Sequence, residues 1–234
     1  MNLNIPYLET DNKLLNDAYR IAAGDIVGNI VYYQNGLLTE EKPCMIAGLD
    51  YNTPWTRDTA INVWNALSIL SPEVSKNTLL AVLEEEEGNI YIGGQYWDSI
   101  IWMIGAREYC RFHKDDNFYR LAFKAGRNSV HRLEEDEFDE EDGLFRGPAV
   151  YGDGIAAYPD KYSKCPNQGS GILEWVDYPG NPVYPKGYGI PMKALSTNCV
   201  YFKVYEILAE MAHALGEPAK EFEEKAAAMK KAIN

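Results

Sequence analysis

The stretch Trp55-Thr-Arg-Asp-Thr-Ala-Ile-Asn-Val-Trp-Asn-Ala-Leu-Ser-Ile-Leu70, WTRDTAINVWNALSIL in one-letter form, reads as a helix with no proper water-facing side. A helix that is apolar around most of its circumference has to be buried. Thr53 can cap it, and Pro54 suits the first helical position. Arg57 and Asp58 then stand in its first turn, at the lip of a buried element. A charged pair there is either a structural closure of the helix start or a working part of a site.

Six further helices are indicated by apolar periodicity. One precedes the quoted stretch, from about Asp11 to Gln34, with Thr10 or Asp11 as cap and Leu14, Leu15, Ala18, Ile21, Ala22 and Val27 on one side. The others run over about 71–86, 97–113, 115–135, 193–215 and 217–233. The second, fourth and sixth helices are apolar nearly all round, so they are expected inside. The first, third, fifth and seventh carry a polar face and are expected outside. Joined by short turns, such helices favour antiparallel neighbours. The pattern predicts an all-α, (α/α) toroid-like fold, and a single such domain or a fragment of one over residues 1–234. A superhelical array alternates in the same way, but no repeat of fixed length is found.

If the inner helices all point one way, their N-termini share one mouth. Trp55-Thr-Arg-Asp58, Gln95-Tyr-Trp-Asp-Ser99 and Lys193-Ala-Leu-Ser-Thr-Asn198 are expected to converge there.

Composition limits the chemistry. Hydrophobic residues make up 46% and charged residues 24%, which indicates a globular chain. A net charge of -13 disfavours nucleic acid and anionic membrane as partners, while leaving a neutral substrate acceptable. Cys44, Cys110, Cys165 and Cys199 show no metal spacing and read as packed free thiols. The N-terminus has no apolar signal-like region, and no run is long enough to span a membrane. The compartment stays open between cytoplasm and a periplasmic or secreted location reached after signal removal.

Two irregular segments separate the helices. Glu134–Asp142, EEDEFDEED, reads as a solvated acidic linker, its spacing matching no EF-hand. Residues 143–191 are rich in Gly, Pro, Tyr and Trp, and are too long for an ordinary connection. Their place before the sixth helix puts them over the same mouth. No phosphate loop or nucleophile elbow is found, and His113, His131 and His213 lie late in helices, away from the mouth. Metal and cofactor chemistry are therefore not expected. What remains is carboxylates, an arginine, amides and rings, an inventory that suits carbohydrate binding and glycosidic bond cleavage by two carboxylates.

WTRD at the start of an inner helix, then YWDSIIWMIGAREY, then KALSTNCVYFKVYEIL after a Gly/Tyr-rich segment, resembles the six-hairpin glycosidases. These are the (α/α)6-barrel glycoside hydrolases of the glucoamylase-like, trehalase-like and glucosidase-like clans. The resemblance implies an inverting hydrolase of a neutral α-linked glycoside, the alternatives being a non-catalytic carbohydrate-binding fragment and a helical protein-interaction scaffold. It implies that Arg57 and Asp58 hold sugar hydroxyls and that Trp55 packs on the sugar ring. Asp98 either contacts sugar or caps its helix, and Trp97 is either a platform or packing. The general acid is expected in the long segment, from Asp142, Asp153 or Glu174. Asp153 is preferred because Gly152, Gly154, Tyr151 and Tyr158 surround it, although an Asp between glycines also suits a turn. A full ring of six hairpins needs more helices than the seven read here. The chain is therefore expected to be the N-terminal part of such an enzyme, with the catalytic base outside it. Self-association, or a partner completing the barrel, is expected to cover its apolar faces.

Overall fold

The computed structural model describes residues 5–48, 50–94, 97–149 and 192–234, without the side chain of Trp97. The fold is mostly α, with 61% of the described residues helical in seven helices and a few short strands. The helices are α1 (Lys13–Gly28), α2 (Thr56–Asn62, continued by Val63–Leu67 and Ser68–Leu70), α3 (Pro72–Ala81) and α4 (Trp97–Phe112). They continue with α5 (Asp116–Glu137), α6 (Leu195–Leu215) and α7 (Lys220–Ile233). The chain separates into two compact units, residues 1–94 with 102–122, and residues 95–101 with 123–234. Among the described residues no helix is long and apolar enough to cross a membrane.

In the first unit, α1 starts one or two residues later than the sequence suggests. Asn12, rather than Thr10 or Asp11, is the cap, and its side chain accepts from the N–H groups of Leu14 and Leu15. The helix also stops at Gly28 rather than reaching Gln34. Ile30–Tyr33 (β1) pairs antiparallel with Lys42–Met45 (β2), Ile30 opposite Met45. Ile, Val and two tyrosines prefer this half-buried pleated surface to a helix. Leu14, Leu15 and Ile21, expected to pack inward, are exposed.

The hairpin docks on α3. The Met45 N–H donates to Thr78 Oγ1 at 2.9 Å, and Asn77 Nδ2 donates to the Pro43 carbonyl at 3.2 Å. Between the strands, Asn35-Gly-Leu37 closes over the end of α3, whose last carbonyls have no helical partners. Leu37 N–H donates to the Leu80 carbonyl at 3.1 Å and Asn35 Nδ2 to the Ala81 carbonyl at 3.2 Å. Gly36 has φ +61°, and a β-carbon there would lie 2.6 Å from the carbonyl oxygens of Leu80 and Leu83. Only glycine fits that cradle.

Helix α2 begins at Thr56, so Pro54 lies outside it and Trp55 holds the N-cap position without a side-chain cap bond. Val63–Leu67 forms a π turn, and Ser68 Oγ donates to the Val63 carbonyl at 2.7 Å. The extra residue rotates the last turn of the helix. Val63 and Leu67 are fully buried, whereas Trp64 and Ile69 are exposed. The expectation of a helix buried all round is thus corrected. Close packing is concentrated on one side, where the Ala60 backbone lies 2.8 Å from the site of a β-carbon on Gly105 of α4.

Helix α3 ends at Ala81, not near Glu86. Leu83–Glu86 (β3) and Asn89–Ile92 (β4) form a hairpin around Glu87 and Gly88, both at positive φ. Two positive-φ residues make the turn whose twist matches paired strands. In the second unit, α6 is buried through Tyr201, Val204, Tyr205, Leu208 and Ala212. It packs with α7 across a four-residue connection opened by Gly216 at φ +70°.

The acidic stretch is not a linker. Residues up to Glu137 are helical, and Phe138–Asp139 (β5) pairs with Leu144–Phe145 (β6). Two of its carboxylates, in the hairpin, are held by cations: Asp139 pairs with Arg146 and, at 2.7 Å, with Lys193, while Asp142 meets Lys193 at 2.5 Å. Burial pushes the thiols of Cys44 and Cys110 up to about 12, as packed free thiols require. Cys199, expected to be packed as well, is exposed on α6. Cys165 lies outside the described residues.

Candidate functional site

Three of the residues expected to contact sugar lie at the start of α2. Trp55 is about half exposed, and the edge of its ring meets Tyr51 at 6.2 Å and 78°. Arg57 Nε lies 3.8 Å from Asp58 Oδ2, and both side chains remain partly accessible. Asp58 sits in the first turn, where the helix dipole favours negative charge. A partly accessible ring, a guanidinium and a carboxylate therefore belong to one helix start.

Asp98 is in the first turn of α4 and belongs to the second unit, whereas Trp55, Arg57 and Asp58 belong to the first. Trp97 begins α4. Tyr151, Asp153 and Glu174 lie outside the described residues. Asp142 is in the β5–β6 turn, ion-paired to Lys193.

The second unit contains a cavity of about 660 Å³. Its walls come from α5, the β5–β6 hairpin, α6 and α7, with Phe138 and Met229 among the apolar groups. One connected polar network lines it. The Tyr205 hydroxyl donates to Glu134 Oε1 at 2.6 Å. Lys225 Nζ bridges Glu134, at 2.8 Å, and Glu221, at 2.5 Å. His131 Nε2 lies 2.9 Å from the same Glu221 oxygen. Lys225, bonded to both carboxylates, keeps its proton more firmly than usual, although burial opposes this. The Glu221 carboxyl is correspondingly held below its ordinary range, chiefly by Lys225.

Sequence patterns assign none of these residues a role. One signal was available: His131 and Glu134 are three apart, which places them on one helix face. Their partners on α7 are remote in sequence, and no spacing rule reaches them.

Near this network, Glu137 ends α5 with Oε2 buried and without a hydrogen bond among the described residues. Burial, helped by the Asp136 charge and opposed by Arg146, raises its carboxyl from 4.5 to about 7. The fold therefore prefers the neutral acid. Below pH 4.5 folded and unfolded chains are both protonated at this group. Between 4.5 and about 7 only the unfolded chain releases the proton, so stability falls as pH rises. Glu137→Gln is expected to match the parent near about pH 4 and to exceed its stability by about 1–3 kcal/mol near about pH 8. Urea denaturation at the two pH values checks this. An equal difference at both would contradict it.

No protein-family model matches the chain, and neither a curated protein nor a solved structure matches it.

Proposed function

We propose that the chain handles carbohydrate as part of an (α/α)6-type glycoside hydrolase, with the sugar seated at the N-terminal end of α2. One observation carries the reading: the exposed Trp55 ring and the partly accessible Arg57–Asp58 pair occupy the same helix start. A sugar presents an apolar C–H face and a rim of hydroxyls. The indole offers a flat apolar surface for the face, with carboxylate and guanidinium as acceptor and donor for the rim. The net charge of -13 points to a neutral sugar. In this proposal Asp153 is the general acid, Glu174 its alternative, and Trp97, Asp98 and Tyr151 contribute to the binding surface. The reaction is inverting, and the base comes from outside this chain.

Titration calorimetry with maltose, a neutral α-linked disaccharide, tests the binding step. Trp55→Ala is expected to weaken binding by at least about tenfold, because the stacking surface is lost, with little change in stability at so exposed a position. Absence of binding to any neutral mono- or disaccharide would remove the reading. Release of reducing sugar that is abolished by Asp153→Asn would separate an enzyme from a carbohydrate-binding fragment.

A further inference from the structure

We propose that His131, Glu134 and Glu221 form a binding site for a divalent transition-metal ion such as Zn2+, with the Lys225 ammonium as the cation the metal displaces. This is independent of the carbohydrate reading and lies in the other unit.

The geometry supplies the ligands. His131 and Glu134 share one face of α5, and Glu221 comes from the first turn of α7. One ligand atom from each lies within 4.8 Å of the other two. The position of Lys225 Nζ shows that one cation bridges the carboxylates, being 2.8 and 2.9 Å from the Glu134 oxygens and 2.5 Å from Glu221 Oε1. An ion in that place with bonds of about 2.0–2.2 Å needs the two carboxylates to close in by only a few tenths of an ångström to about an ångström, and His131 Nε2, 2.9 Å from Glu221 Oε1, to turn toward it. An imidazole with two carboxylates suits zinc and its neighbours, not the all-oxygen preference of calcium or magnesium.

The surroundings support the same assignment. Tyr205 donates to Glu134 and fixes the carboxylate, and the His131 ring stacks on Phe222 at 6.2 Å and 18°. The Lys225 side chain is 32% exposed. Its flexible stem lets the ammonium move into water without losing its charge. The adjoining cavity has room for water as a further ligand. Glu135 and Glu140, on the cavity wall, draw cations toward it.

The experiment is calorimetric titration of the full chain with Zn2+ alone, supported by the visible spectrum of the Co2+ form. One ion per chain is expected. His131→Ala should weaken binding by at least about tenfold and Lys225→Met should tighten it by about tenfold, because a ligand is lost in one and a competitor in the other. His213→Ala, which removes the exposed pair with Glu223 at 2.7 Å, should change nothing. If Lys225→Met does not fold, the rise in melting temperature that Zn2+ gives the unmodified chain, and its loss in His131→Ala, decides the matter. No binding by the unmodified chain or Lys225→Met, binding unchanged in His131→Ala, or binding unchanged in a folded Lys225→Met would overturn the proposal.

Discussion

Trp102→Ala is expected to lose about 3–5 kcal/mol of stability, as full truncation of a buried indole does. Trp102 is fully buried in the first unit. Its ring lies 6.2 Å from Phe118, which in turn meets Tyr109 edge-on at 5.0 Å. The indole also has a polar duty. Nε1 donates to the Leu79 carbonyl at 3.2 Å, one of the last carbonyls of α3, which lack helical partners. Alanine thus leaves both a cavity and a buried acceptor. Trp102→Phe should lose less, since it keeps much of the ring volume and gives up the hydrogen bond. Urea denaturation followed by circular dichroism measures both. A loss for Trp102→Ala close to that of an ordinary surface substitution would show that the core closes over the gap.

Asn198→Leu is expected to destabilise the second unit by about 2–5 kcal/mol, from two buried backbone groups left without partners. Asn198 is 2% exposed in the first turn of α6. Its Oδ1 accepts from the Phe145 N–H at 2.8 Å, and its Nδ2 donates to the Phe145 carbonyl at 3.0 Å. One side-chain amide thereby pairs with the backbone of β6 as a neighbouring strand would. Nδ2 also donates to the Ala194 carbonyl at 3.0 Å. Asn198→Asp should be at least as damaging, because a carboxylate would face two carbonyl oxygens. Hydrogen exchange offers a local readout: the Phe145 amide should lose protection in Asn198→Leu. If it stays protected, another acceptor holds β6.

These two residues show how far sequence patterns reach. Trp102 falls within an apolar run, so its burial is implied by periodicity. Its bond to Leu79 is not, because it depends on where α3 ends. Asn198 is a polar residue near a helix start, where a local cap role is the natural expectation. Its partner lies 53 positions earlier on a two-residue strand. The same distinction separates the helices from the hairpins. Pro72, the repeat of apolar side chains in α5 and the clear polar face of α7 mark their helices well. Residues 83–86 look helical because glutamates are good helix formers, and the strand exists only because Glu87 and Gly88 turn it back on Asn89–Ile92. Likewise, EEDEFDEED reads as solvated until Lys193, Arg146 and Lys225 are seen to meet it.

For the candidate sugar site, the neighbourhood of Trp55, Arg57 and Asp58 was legible because all three belong to one helix start. The meeting of His131 and Glu134 with Glu221 and Lys225 was not, because it requires α5 and α7 to be packed first. Local patterns were enough for the succession of seven helices and the cluster at the head of α2, since both are set by interactions within a few residues. Among the described residues, the three hairpins, the π turn that exposes Trp64, the buried acid at Glu137 and the network around Lys225 emerged with folding alone. Each of these depends on groups brought together by burial and pairing over long chain separations, and local periodicity carries no record of them.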